Sequence, residues 1–246
     1  MEMSESLMDE VIRKQIEKWE EARARRDRGE EERLSVITFS SQAGSGGSLV
    51  AKGVAEQLRF DYFDKVLIEV IAESAHISTK LVESVEKERL SGIEDFIASF
   101  IKKEYLYPGV YLKHLMKVVS AITIHGRAVI VGRGANFIIP PEKRFSIRTI
   151  APQEKRIEHV AKTFHVSPEE AKARVLQRES ARSAFIKHSF HKDSGDPIHY
   201  DMVINTEKTG IEAAIQGVCV YFQVLQKSSR RDFPTNPSPA GGGEVR

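Results

Sequence analysis

The chain has a single cysteine, a single tryptophan and no apolar run of membrane-spanning length. Each shortage excludes something. One cysteine, Cys219, allows no internal disulfide framework and no cysteine-built zinc site. It sits in Val218-Cys219-Val220-Tyr221-Phe222, where a small buried hydrophobe is expected. The missing apolar run, and a start without a basic stretch leading into an apolar one, argue against a membrane span or signal peptide and predict a cytoplasmic protein. Excess charge of one sign is also lacking, because 37 Lys and Arg face 35 Asp and Glu for a formal net charge of +2. That balance speaks against a nucleic-acid polymer or a membrane as partner. The 8 histidines form no H-x-x-x-H pair, so no metal role is assigned to them.

What is present is punctuation. Residues 1–33 form a charged segment whose apolar positions Leu7, Met8, Val11, Ile12, Ile16 and Trp19 share one helical face. That face needs something to pack on, and a homodimer through the N-terminal helix is one partner it would admit. The mixed-charge run over 20–33 reads as a solvated helix end or linker. Residues 227–246 hold Pro-Thr-Asn-Pro-Ser-Pro-Ala-Gly-Gly-Gly and predict a disordered tail. The folded domain is expected over 34–226.

Within it, strand-like and helix-like segments alternate. Val36-Ile37-Thr38-Phe39, Phe60 to Asp64, Ala128 to Val131, Phe145 to Ile150 and Met202 to Asn205 are short and apolar. Helical spacing separates them, which predicts an α/β fold: a five-stranded parallel sheet with helices on both faces. A helical insertion is expected over about 76–125, with a capping box at Ser91 and Glu94. A second capping box, Ser167-Pro168-Glu169-Glu170, opens a lid segment over about 168–199.

In such sheets ligands bind beyond the carboxyl ends of the strands. After the first strand comes Gly44-Ser45-Gly46-Gly47-Ser48, a loop suited to a phosphate because glycines let N–H groups converge and the next helix offers its positive end. The usual P-loop lysine is absent, since Gly47 stands there. Asp64, after the second strand, either orients an acceptor group or caps the helix from Lys65. Arg133, between Gly132 and Gly134 after the third strand, is free to reach a phosphate with its planar fork. Arg174, Arg178 and Arg182 stack like charges at i, i+4, which favours a basic helix closing over polyphosphate, with Arg156 on the helix before it as a further candidate.

Taken together, Gln42-Ala43-Gly44-Ser45-Gly46-Gly47, Phe63-Asp64-Lys65, Val131-Gly132-Arg133-Gly134-Ala135, Glu179-Ser180-Ala181-Arg182 and Tyr200-Asp201-Met202-Val203-Ile204-Asn205-Thr206 resemble the cytidylate kinase-like family of P-loop nucleoside monophosphate kinases, over about residues 34–225. The resemblance implies a three-layer P-loop kinase fold and ATP-dependent phosphoryl transfer to a nucleoside monophosphate such as CMP or dCMP. It places the glycine loop on the ATP phosphates, Arg133 on the acceptor phosphate and the lid arginines on the transition state. Mg2+ would rely on Ser48 and, through water, on Asp64. The family commonly carries an arginine where Ser41 stands and often a basic residue at Ser48. The alternative reading is therefore a nucleotide-binding sensor or partner-binding protein of weak or no turnover.

Overall fold

A computed structural model describes residues 10, 13–20, 34, 36–73, 85, 95, 97–99, 101–102 and 109–227. Its five strands are β1 (Val36–Ser41), β2 (Asp61–Phe63), β3 (Ala128–Val131), β4 (Arg144–Ile150) and β5 (Met202–Asn205). All pair in parallel, in the order β2-β3-β1-β4-β5. Residues 13–20 form helix α1. The longer helices that follow are α2 (Gly47–Leu58), α3 (Lys65–Glu73) and α4 (Val110–His125). After β3 come α5 (Ala135–Ile138), α6 (Gln153–Phe164), α7 (Pro168–Phe190), α8 (Thr206–Thr209) and α9 (Ile211–Lys227).

Side chains alternate across a strand, so neighbouring apolar residues feed opposite cores. Val36, Ala128 and Ile130 pack with α3 and α4 on one face. Ile37, Phe39, Val129, Val131, Phe145 and Ile147 pack with α2 and α9 on the other. The result is the three-layer arrangement expected. Buried Leu112, Leu115, Met116, Val119 and Ile122 give α4 its stripe at helical spacing. Cys219 is buried in the second core, as its apolar run predicted.

The described part of the N-terminal face, Ile16 and Trp19, packs within the chain. Trp19 is buried, stacked on His125 at 4.0 Å between ring centroids and 6.0 Å from Phe63. Its Nε1 donates to Asp61 Oδ2 at 2.7 Å, as does Gln15 Nε2, and Lys18 pairs with the same carboxylate. Ile16 packs against the same core. Two of the six apolar positions offered to a dimer are thus used on the edge strand β2 and on α4.

Leu7, Met8, Val11 and Ile12, the run from 21 to 33, Ser91, Glu94 and the tail after Lys227 lie outside the described residues, as does most of the insertion before α4. No helix among the described residues is long and apolar enough to cross a membrane.

Candidate active site

The glycine loop leaves β1 and is held from four sides. Gln42 N donates to Thr149 O at 3.0 Å, and Gln42 Oε1 accepts from Ala151 N at 3.1 Å. Ser45 Oγ lies 3.0 Å from Thr149 Oγ1, while Thr206 Oγ1 donates to Ser45 O at 2.6 Å. Arg156 Nη1 donates to Ala43 O at 3.3 Å. His159 Nδ1 stands 3.1 Å from Gly44 O. Gln42 N and Ser45 N are also spent within the protein, so the N–H groups that remain for an anion lie toward the start of α2.

Two glycines are required there. Gly44 has φ 84°, and a Cβ on it would lie 2.5 Å from Arg156 O. At Gly47 a Cβ would run into the hydroxyls of Ser41 and Thr149. No side chain, and so no loop lysine, fits at 47 unless Ser41 and Thr149 turn away. The N–H groups of Gly47 and Ser48 open α2 and have no intrahelical partner. The site therefore keeps the anion-binding helix end and loses the cation that usually accompanies it.

Cations arrive instead from the other strands. Arg133 holds a left-handed φ of 53° after β3, with its guanidinium carbon 5.6 Å from the Phe185 ring centroid on α7. Arg182 Nη1 donates to Ser41 O at 2.6 Å, which lays α7 over the end of β1. Arg148, on β4, donates through Nη1 to Ser40 Oγ and to Tyr200 Oη, each at 3.3 Å. Lys65 opens α3, just past β2. These groups feel one another. Burial, then the Arg182 charge, lowers the Arg133 guanidinium below its ordinary range. Burial of the head group, then Arg178, lowers Arg182, with Glu179 opposing and Arg148 adding to the shift. Partial burial, then Arg133, Arg182 and Arg178, lowers the Lys65 ammonium. A row of like charges across adjacent strand ends, beneath one helix, is an arrangement that an anion stabilises.

The other expected residues are placed as follows. Asp64 Oδ1 accepts from Leu67 N at 2.8 Å, so its carboxylate caps α3. Ser48 is exposed on the first turn of α2. Arg174 pairs with Glu170 at 2.6 Å, and both Arg174 and Arg178 lie over the Phe164 ring, at 5.6 and 5.2 Å. The lid helix is anchored rather than loose, because Ala171 and Val175 are buried with Val160 and with Ala43 of the loop. Ser167 caps it by accepting from Glu170 N at 3.2 Å, as its capping box predicted.

Arg156 departs most from its expected place in the lid. Its side chain is only 5 % exposed, Nε donates to Ala151 O at 2.9 Å and Nη1 meets Glu179 Oε1 at 2.6 Å. In this conformation it ties α6, α7 and the glycine loop together and is sealed from solvent. Residues that sequence reasoning left without a role are Lys65, Arg148, Thr149, Tyr200 and Thr206. Arg148 carried a signal, as a charge inside an otherwise apolar strand, and Tyr200 and Thr206 stood in a segment that carries the family resemblance; Thr149 carried none, since its partner Ser45 lies more than a hundred residues away.

Comparison with known proteins bears on the family and the fold. A family model described as the cytidylate kinase-like family matches residues 36–208. A cytidylate kinase of Ignicoccus hospitalis is 23% identical over 185 residues, covering 75% of this chain and 97% of that protein. One from Pyrococcus horikoshii is 28% identical over 174 residues, covering 70% and 80%. A crystal structure of an uncharacterized protein from Eubacterium ventriosum superposes with a TM-score of 0.62 at 19% identity, covering 78% of this chain and 99% of that one. At that identity the likeness speaks for the fold alone.

Proposed function

Because the chain belongs to the cytidylate kinase-like family, we propose that it is an ATP-dependent nucleoside monophosphate kinase with CMP or dCMP as acceptor. The observation that carries the reading is the gathering of arginines at the strand ends, with Arg182 on Ser41 O and Arg148 on Ser40 Oγ at the base of the glycine loop. The loop and the first turn of α2 bind the ATP phosphates through N–H groups. Arg133 holds the acceptor phosphate, and Arg178 and Arg182, delivered by α7, stabilise the transferring phosphoryl group. Positioning and charge stabilisation are most of what such transfer asks of a protein.

Among the described residues no cluster of three His, Cys, Asp or Glu side chains could cage a metal ion. The Ser48 hydroxyl on the first turn of α2 still suits Mg2+, which takes few protein oxygens and keeps waters and substrate phosphates as its other ligands. When bound with the nucleotide, the ion would neutralise charge building on the phosphoryl oxygens. Ser48 is the residue that would hold it directly, and Asp64, whose Oδ1 caps α3, keeps a second carboxylate oxygen for a water on the ion.

The filled space at Gly47 and the serines at 41 and 48 favour a second reading, a nucleotide-binding protein of weak turnover. Coupled measurement of ADP release with CMP, dCMP, UMP and AMP separates the two. Turnover with CMP or dCMP supports the kinase; ATP binding without ADP formation in the presence of any acceptor replaces it with the sensor.

A further inference from the structure

We propose that Arg148 is a further arginine on the acceptor phosphate, forming a row with Arg133 and Arg182; this assignment rests on the kinase reading above. Register within the sheet supplies the placement. In the β1–β4 ladder Arg148 pairs with Ser40, just before the glycine loop. Strand β1 lies between β3 and β4. Arg133 follows β3, Arg182 Nη1 donates to Ser41 O at the end of β1, and Arg148 stands on β4, so three guanidinium groups meet at three adjacent strand ends. Ser40 shares a sheet face with Val36, because side chains alternate along a strand. Val36 packs in the core of α3 and α4, which puts Arg148 on that face, away from α2 and the N–H groups that serve ATP.

The contacts of Arg148 orient its charge without neutralising it. Nη1 donates to Ser40 Oγ and to Tyr200 Oη, each at 3.3 Å, and the guanidinium carbon lies 5.4 Å from the Tyr200 ring centroid. Tyr200 is fixed in turn, because its hydroxyl donates to Ser194 O at 2.9 Å. Both acceptors of Nη1 are uncharged, and among the described residues this half-buried arginine makes no ion pair. With Nη1 committed, the edge formed by Nε and Nη2 remains for two oxygens of one phosphate. The neighbouring charge gives a reason for an anion there. Burial, then Arg178, lowers the Arg182 guanidinium, and Arg148 adds to that shift, a crowding that a phosphate between them relieves.

The test is calorimetric titration of the full chain, and of Arg148→Met and Tyr200→Phe, with CMP, dCMP, UMP and AMP and separately with ATP. For the acceptor that binds the wild type most tightly, Arg148→Met is expected to weaken binding about tenfold or more, while ATP affinity stays within about twofold, as loss of a charged hydrogen bond to the acceptor alone does. Tyr200→Phe breaks the bonds to Ser194 O and Arg148 Nη1 but keeps the ring and the arginine, so acceptor binding should stay within about threefold of wild type. Arg148→Met binding the acceptor as tightly as wild type overturns the assignment while the kinase reading stands. An equal loss of ATP and acceptor binding overturns it too, by pointing to general damage to the site. A loss in Tyr200→Phe as large as in Arg148→Met also overturns it, since Arg148 then serves only to tether Tyr200. A wild-type chain that binds none of the four monophosphates removes both the assignment and the reading beneath it.

Discussion

Replacing Arg156 by leucine distinguishes a strut from a transition-state arginine. The buried guanidinium serves Ala151 O at 2.9 Å, Ala43 O at 3.3 Å and Glu179 Oε1 at 2.6 Å. In Arg156→Leu two carbonyls on buried residues, Ala43 and Ala151, lose their donor. A buried acceptor left unsatisfied costs about 1–3 kcal/mol. Glu179 is 29% exposed and can rehydrate, so the lost ion pair adds less than a fully buried one would. The leucine side chain returns part of the loss by staying buried. A net destabilisation of about 3 kcal/mol follows, or about 6–12 °C in Tm for a domain of this size. Thermal melts by circular dichroism, with and without ATP, measure it, and the ATP-induced rise in Tm should shrink because the loop is no longer pinned at Ala43. A variant that melts within about 2 °C of wild type while its turnover collapses would refute the strut and put Arg156 at the transition state.

Three further outcomes are expected. Gly44→Ala forces a Cβ against Arg156 O at a φ of 84°, so about 1–3 kcal/mol of strain should weaken ATP binding in calorimetry while the α4 core, followed by hydrogen exchange, stays protected; unchanged ATP affinity would contradict the loop geometry. Trp19→Ala should lower stability by about 3–5 kcal/mol in denaturant titration, and a loss below about 1 kcal/mol would show that α1 does not dock. Burial pushes the Cys219 thiol from its usual 9.0 up to about 11. The folded chain therefore holds that proton more tightly than the unfolded one, and the thiol's contribution to stability is whole below pH 9 and lost as pH climbs through 11. Cys219→Ala should flatten that decline, and the native thiol should resist Ellman's reagent at pH 8, which immediate stoichiometric labelling would disprove.

Sequence period carried the fold a long way. Val36 to Phe39 and Ala128 to Val131 announce buried strands because their apolar residues feed two cores, and the Ser167 box marks the start of α7 to the residue. The glycine loop and Arg133 were legible for the same reason, as punctuation at strand ends. Arg156 was not, because helical spacing shows which residues share a face but not that α7 will cover it. Asp64 admitted two uses, and the hydrogen bond from Leu67 N shows that one of its oxygens serves the cap. Arg148 gains its meaning from register across strands, which sets it beside Ser40 and which no local window contains.

The loop spans only residues 42–48, yet the groups that hold it sit at 149, 156, 182 and 206, counting Arg182 on Ser41 at its base. During synthesis β1 leaves the ribosome long before any of them, and β2 cannot join the sheet until β3 is made to lie between it and β1. The glycine loop is thus translated early and completed late. A nascent chain released before Thr206 carries every glycine of the loop without the last of its clamps.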